Sequence, residues 1–166
     1  MTLAQKTPQS ARGIDLYEAD YYAWLVHNAA LIRSGHASDA DLCHIAQELE
    51  DMGRGEKRAL GGHLTTLLLH LLKWQFQPLH RSSSWRGAIY NARADIRALL
   101  KESPSLRIRL PELVADRFGI ARYNTANETG LPETSFPSDC PYTVQQLMDP
   151  DFWPGVPQER QSGLKC

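Results

Sequence analysis

Residues 60–78, LGGHLTTLLLHLLKWQFQP, form the most apolar helical stretch of the chain and decide its fold. The purest apolar run, residues 64–74, is about 16 Å long as a helix, roughly half the thickness of a bilayer core. It also contains His70 and Lys73. We therefore interpret the stretch as a helix buried in protein, and we expect no membrane partner.

The composition is that of a single globular domain. The chain has 166 residues, 42% of them apolar, and a net charge of −1. This length is enough to bury a continuous core without disulfides or a metal. The near-zero charge argues neither for nor against a polyanionic partner.

The cysteines favour a reducing cytoplasm. Cys43, Cys140 and Cys166 share no CxxC spacing, so they form neither a disulfide framework nor a zinc knuckle. Residues 1–13 lack the apolar run of a secretory signal, and we expect them to form a flexible extension.

The spacing of apolar residues predicts four main helices. Helix one begins at a capping box of Asp15 and Glu18 and ends at Gly35. Helix two begins at Ser38 or Asp39 and runs to residue 78. Its first half has an apolar stripe that we expect to face the core, and the stripe consists of Leu42, Ile45, Ala46, Leu49 and Met52.

Helices three and four follow the same logic. A serine at position 83 or 84 caps helix three, which ends before Pro104. Helix four covers about residues 111–129 and ends in a left-handed cap at Gly130.

Glycines interrupt helix two in two places. Gly53 and Gly55, and then Gly61 and Gly62, each cost roughly 1 kcal/mol relative to alanine inside a helix. They mark a bend, or they let a neighbouring helix approach closely. The sequence leaves the continuity of helix two open.

Six prolines in residues 131–157 exclude a regular helix there, and the apolar residues among them predict a tail packed on the bundle. Thr143 can cap one short helical turn. We thus divide the chain into residues 1–13, a bundle over 14–130, the tail, and a flexible end at 158–166. The predicted fold is all-α, an antiparallel helix bundle of about four main helices with an ordered Pro-rich C-terminal tail.

Several segments carry a family resemblance, and together they cover roughly residues 14–153. They are LYEADYYAWL, ELEDMGRGEKRAL, LLLHLLKWQFQP followed by RSSSW, KESPSL, and ETGLPETSFPSDCPYTVQQLMDPDFWP. The chain resembles the bacterial family catalogued as domain of unknown function 29. The resemblance implies a small all-helical bacterial protein, and it implies no activity and no catalytic residues. Gly61 and Gly62 depart from the pattern, as does the long polar amino terminus.

A polar seam borders the leucines if helix two is continuous. Its members fall within a sector of roughly 100°, and they are Glu48, Glu56, His63, His70, Lys73 and Gln77. The seam makes His70, with Glu48 or Glu56 as its carboxylate partner, a candidate for acid–base catalysis. The alternative is a satisfied His70 bonded to a backbone carbonyl or a carboxylate, with Lys73 and Glu48 extending to solvent. We favour it because buried polar groups are normally paired.

Metal and nucleophilic chemistry have weaker signals. His63 and His70 are the weak candidates for metal ligands, because the chain has no HExxH and only His44-x-x-x-Glu48. It also lacks a GxSxG elbow and a phosphate-binding glycine loop. We expect no cofactor and no metal.

Residues 81–109 have a basic excess of five, and Arg86, Arg93 and Arg97 share one face of helix three. Such a stripe is typical of an anion or nucleic-acid site. Residues 39–56 have an acidic excess of five, so the two segments can also neutralise each other within the bundle or across a dimer. We favour neutralisation and expect no nucleic-acid partner.

Phe152 and Trp153 are interface candidates, either as a strap over their own bundle or as an anchor into a partner subunit. The leading hypothesis is a non-catalytic protein-association module of a bacterial cytoplasm, and a homodimer is one form that this association can take. The alternatives are an enzyme or metal protein that uses the seam, and a nucleic-acid-binding protein that uses the arginine stripe.

Overall fold

A computed structural model describes residues 16–155 of the chain. The predicted cap at Asp15, the flexible extension over residues 1–13 and the flexible end at residues 158–166 lie outside the described residues.

Four main helices and a short fifth one account for most of this range. They are α1 (Tyr21–Arg33), α2 (Leu42–Phe76), α3 (Ser83–Glu102), α4 (Leu110–Thr129) and α5 (Val144–Met148). Residues 16–19 are also helical, and 3₁₀ turns occur at Ala37–Asp39, Pro78–His80, Pro104–Arg109 and Glu133–Ser135. Residues 16–155 contain no strand, and the predicted all-α bundle with an ordered tail is confirmed.

The predicted helix one is divided at Asp20, and helix two begins later than the sequence predicts. Residues 16–19 are helical, and Asp20 then caps α1 by accepting a hydrogen bond from the amide of Ala23 at 2.9 Å. The residues predicted to cap helix two, Ser38 and Asp39, lie in a 3₁₀ turn instead. Asp41 precedes α2 and accepts from the amide of its third residue.

The caps of the later helices follow the sequence closely. Ser82 caps α3 by accepting from the amide of Trp85, one residue before the serines predicted for this role. Gly130 has a φ of 71° and ends α4 in the left-handed conformation, as predicted. Thr143 and Gln146 form a capping box at the start of α5.

The described residues form two compact units, which meet in sequence between Gly55 and Glu56. In the first unit, residues 16–33, which include α1, run antiparallel to residues 42–55 of α2, and we call residues 16–55 the hairpin. The second unit contains the rest of α2, α3, α4 and the tail, which we define as residues 131–155.

The hydrophobic core lies in the second unit and is organised by α2. The buried side chains of this helix are Leu60, Leu64, Leu67, Leu68, Leu69, Leu71, Leu72 and Trp74. Ile89, Ile96 and Leu100 of α3 and Leu113 and Phe118 of α4 pack in the same cluster. The most apolar stretch of the sequence is thus the centre of the core.

The tail belongs to this core. Its side chains Phe136, Tyr142, Leu147 and Phe152 are all buried in the cluster. The Tyr142 hydroxyl donates to Gln75 of α2 at 2.7 Å. The prolines prevent a regular helix, but they do not prevent the aromatic residues from packing.

Helix α2 is continuous over 35 residues, which answers the question that its glycines left open. Gly61 is buried, and a Cβ atom there would lie 2.7 Å from Nε of Arg117 in α4. Gly62 is exposed, and a Cβ atom there would meet nothing within 4 Å. Gly61 therefore leaves room for the Arg117 side chain of α4, whereas Gly62 contributes no contact of this kind.

The two adjacent glycines should respond differently to alanine. Gly62→Ala should raise the free energy of unfolding by up to about 1 kcal/mol, because alanine is the better helix former. Gly61→Ala should gain less or lose stability, because the half-buried Arg117 side chain must move. Urea denaturation of both variants provides the measurement, and equal gains would contradict the close approach at Gly61.

Candidate association surface

Polar and aromatic contacts hold the two helices of the hairpin together. The Tyr17 and Tyr21 hydroxyls each donate to one oxygen of Glu48, both at 2.6 Å. Farther along the hairpin, Asp41 accepts from the indole nitrogen of Trp24 at 3.2 Å, and its amide donates to the side chain of Asn28 at 2.8 Å. These contacts align the start of α1 with residue 48 and its middle with residue 41, so the helices are antiparallel.

His44 completes this network. Its Nδ1 lies 2.6 Å from Oδ2 of Asp41, and its ring stacks on Tyr17 with a centroid distance of 4.2 Å. Although burial raises the pKa of Asp41, the contacts with His44 and Trp24 outweigh it and hold that pKa below its usual value. The hairpin thus relies on a satisfied polar network.

The Glu48 carboxylate and its two tyrosines shift one another's titration. The hydroxyls of Tyr17 and Tyr21 hold the pKa of Glu48 below its usual value of 4.5. In return, the hydrogen bond to Glu48 raises the pKa of Tyr17 to about 12 and raises that of Tyr21 as well. Glu48, predicted as a catalytic candidate, is therefore a hydrogen-bond acceptor that joins two segments of the hairpin.

Apolar side chains of the hairpin point to solvent. Leu42, Leu49 and Met52, predicted to face the core, are 54%, 63% and 68% exposed. In the described part of the first unit, the buried side chains are those of Trp24 and Asn28 alone. The stripe is real, but its predicted burial is wrong, because periodicity identifies the residues that share a face and not what covers it.

One group of exposed apolar residues on the two helices lies on the same side of the hairpin, whereas the exposed Tyr22 and Val26 lie farther around α1, away from its buried side. On a helical wheel with 100° per residue, Tyr21, Leu25 and Ile32 are centred about 60° from the buried side of α1, in the direction of increasing residue number. Leu42, Ile45, Leu49 and Met52 are centred about 90° from the hydrogen-bonded side of α2, in the same direction. Because the two right-handed helices are antiparallel, a rotation in the same direction on each helix brings the two arcs to one side of the pair.

We call this surface the hairpin face. It consists of Tyr21, Leu25, Ala29, Ile32, Leu42, Ile45, Leu49 and Met52, none of which carries a charge. All are exposed except Ile45, which is half-buried. On α2 the uncharged arc ends before Glu56.

The side chains of the predicted polar seam, all in α2, contact different partners and do not bond to one another. His70 Nδ1 lies 2.9 Å from the carbonyl oxygen of Thr66 in its own helix, which is one of the two contacts that the alternative interpretation allows. The same interpretation expects Lys73 and Glu48 to extend to solvent, but both are hydrogen-bonded within the protein. His63 Nδ1 lies 3.4 Å from Asp95 of α3, a carboxylate that the sequence did not suggest as a partner. Glu56 is exposed. These placements do not gather the candidate catalytic residues around one point.

Lys73, the cation of the predicted polar seam, contacts residues of two neighbouring helices. Its ammonium group donates to Glu128 of α4 at 2.8 Å and lies 4.6 Å from the ring centroid of Trp85 in α3. Lys73 thus links three helices of the second unit. Within residues 16–155, no group of three or more His, Cys, Asp or Glu side chains is placed to hold a metal ion.

Arg93, the central residue of the predicted arginine stripe of α3, is buried. Arg93 is 2% exposed, and its guanidinium donates to the tail carbonyls of Leu147, Pro150 and Phe152 at 2.9, 3.3 and 2.8 Å. Burial lowers the pKa of Arg93. Arg93 thus binds the backbone of its own tail, and its donors are not available to a phosphate group. Arg86 and Arg97 are exposed, and their role in anion binding stays a prediction.

The two interface candidates of the tail contact their own chain. Phe152 is buried and packs edge-on against Tyr142, with centroids 5.8 Å apart. Trp153 is half-buried and lies 4.6 Å from Trp74 of α2. This arrangement is the strap described by the first of the two sequence interpretations.

A cleft of about 440 Å³ lies between α4 and the tail. Its lining includes Val114, Phe118, Cys140 and Tyr142. Burial raises the pKa of the Cys140 thiol, which keeps it in the less nucleophilic protonated form. The cleft therefore presents no activated thiol.

The fold and these contacts define a small all-α protein that exposes an uncharged apolar surface. Residues 16–153 match the model of the family described as Domain of unknown function DUF29, and the chain belongs to this family. Comparison with curated proteins and with solved structures found no match. In the described part of the chain, no helix combines the length and apolar character needed to cross a membrane.

Removal of the Arg93 guanidinium should loosen the tail. We expect Arg93→Met to lower the free energy of unfolding by about 3 kcal/mol, because it leaves buried tail carbonyls without donors. Amides of residues 144–153 should also exchange with deuterium at least about tenfold faster. Arg97→Met is the matched control on the exposed side of α3 and should change stability by less than about 0.5 kcal/mol. Equal effects of the two substitutions would contradict the role of Arg93.

The pKa of Glu48 should depend on two tyrosine hydroxyls. In the double variant Tyr17→Phe and Tyr21→Phe, it should rise toward 4.5, as measured by carbon NMR of the side-chain carboxyl. Because the pKa is lowered in the folded protein, the stabilisation from Glu48 is complete above 4.5 and is lost as pH falls through the folded value. The double variant should therefore lose less stability on acidification. Tyr22→Phe serves as the control, and an unchanged pKa in the double variant would refute the assignment.

Proposed function

We propose that this protein is a non-catalytic protein-association module, and that the hairpin face is its binding surface. One observation carries the proposal: the hairpin has an uncharged apolar side that is exposed, and in its described residues it buries only Trp24 and Asn28. Exposed apolar surfaces of this kind, when contiguous, mark sites of protein association.

The energetics of helices support the same function. A helix in a globular protein is stabilised mainly by packing of its apolar face. In the hairpin, hydrogen bonds of Asp41 and Glu48 join the helices, but the large side chains of the hairpin face remain 41–68% exposed, apart from the half-buried Ile45 and the small Ala29. Each large side chain gains roughly 1 to 2 kcal/mol when its remaining exposed surface is covered. A partner on this face therefore supplies the apolar burial that the hairpin lacks.

A bacterial cytoplasm is the setting that we propose for this association. The family resemblance favours a bacterial protein. Cys43 is an exposed free thiol and Cys140 a half-buried one, and such thiols persist in a reducing compartment.

Cysteine footprinting can test whether the face is covered in cells. Met52→Cys places a thiol on the hairpin face, and the native Cys43 lies half a turn away on the opposite side of α2. Cells that express this variant and the dilute purified protein are treated with the same maleimide, and peptide mass spectrometry quantifies labelling at each position. In cells, labelling of residue 52 relative to Cys43 should fall about tenfold, as expected if nine-tenths of the molecules have the face covered.

Cys43 serves as an internal control for the labelling of residue 52, because differences in reagent supply and in thiol redox state affect both positions of the same helix. An equal labelling ratio in cells and in the dilute protein would show that the face stays open, and the proposed function would then fail.

A further inference from the structure

We infer that the hairpin face binds the hairpin face of a second copy of this chain, so that two hairpins form a four-helix arrangement around a twofold axis. This inference rests on the proposed function and names the partner. It is supported by the shape of the face, its size and its charge.

The shape is that of half a bundle. The hairpin is a pair of antiparallel helices with apolar residues on one side, and four such helices around a common core form a stable bundle. A twofold axis applies the same surface to itself, so the face needs no differently shaped partner. Ala29 lies at the edge of the α1 arc, where its small side chain adds no bulk to the face.

The size of the face predicts weak affinity. Two helices about 20 Å long, at the usual spacing of 8–10 Å, present about 400 Å² in projection. Counted on both copies, this area is about 800 Å², which is below the roughly 1,200 Å² at which stable specific interfaces begin and is typical of weak contacts. We therefore expect a weak dimer, with a dissociation constant on the order of micromolar or above. The dimer should therefore depend on protein concentration.

The charge distribution distinguishes a second copy from a basic partner. Residues 16–55 carry seven acidic and two basic residues, a net charge of −5, yet the hairpin face has no charge at all. Asp41 and Glu48 bond within the hairpin, and Arg54 pairs with Glu50 and Asp51 away from the face. An uncharged surface needs no opposite charge across the interface. A second copy of the same surface cannot supply one, so the absence of charge suits self-pairing.

The same charges make a prediction about salt. Two hairpins with net charge −5 repel each other at long range, and salt screens this repulsion. Self-pairing should thus stay constant or strengthen between about 0.05 and 0.5 M NaCl. Pairing of the acidic hairpin with a basic surface, such as the arginines of α3 in another copy, should weaken steeply instead.

Sedimentation velocity of the purified full chain, from about 1 to 500 μM, tests the dimer with a matched pair of variants. Leu49→Glu places a charge in the hairpin face. Gln47→Glu places the same charge on the opposite side of α2, two residues away. Both positions are exposed, so both variants should fold, and circular dichroism verifies that they do. We expect Leu49→Glu to weaken the dimer more than tenfold and Gln47→Glu to leave it within threefold of wild type.

Three results would overturn the inference: a monomer at every concentration, a dimer insensitive to Leu49→Glu, or a dimer that salt weakens more than tenfold. The footprint of residue 52 separates this failure from failure of the proposed function. If residue 52 is protected in cells while the purified chain is monomeric, the face binds a different protein and only the self-pairing is wrong. If residue 52 is unprotected in cells, the association itself is wrong.

Discussion

Eight side chains of α2 between Leu60 and Trp74 are buried, and at 100° per residue they cover more than half of the circumference of the helix. A helix of this kind needs more cover than one neighbour provides. Helices α3 and α4 supply most of it, and the aromatic tail packs into the same core. The leucine-rich stretch therefore determines that the tail must be ordered, although the tail contains too many prolines for regular helix.

An ordered tail creates a second requirement. Irregular backbone that packs into a core carries carbonyl groups that lose water, and each needs a donor. Arg93 provides three N–H groups from one side chain and places them on carbonyls between Leu147 and Phe152. The tail thus explains why a charged residue is almost completely buried in α3. Its desolvation is offset by hydrogen bonds to this chain's own backbone.

The first unit follows the opposite arrangement. There the polar side chains of Asp41 and Glu48 bond between the helices, while the leucines of the same turns face solvent. The hydrophobic periodicity of residues 42–52 resembles that of the core half of α2, so the sequence predicted burial for both. Periodicity depends only on which residues share a face, whereas burial depends on what lies opposite. The association that we propose supplies a surface opposite the hairpin face.

By itself, the sequence determined the helices and most of their ends, because periodicity, Gly130 and Thr143 act over one or two turns of the chain. It also determined that residues 60–78 are the centre of the core, because such an apolar stretch must be buried. Only the tertiary structure decided that α2 is continuous through its glycines and that Gly61 packs against Arg117 of another helix. It likewise decided that Arg93 binds the backbone of the tail and that Leu49 is exposed. Each of these outcomes depends on contacts with groups remote in sequence or on the absence of such contacts, and a local pattern carries no information about them.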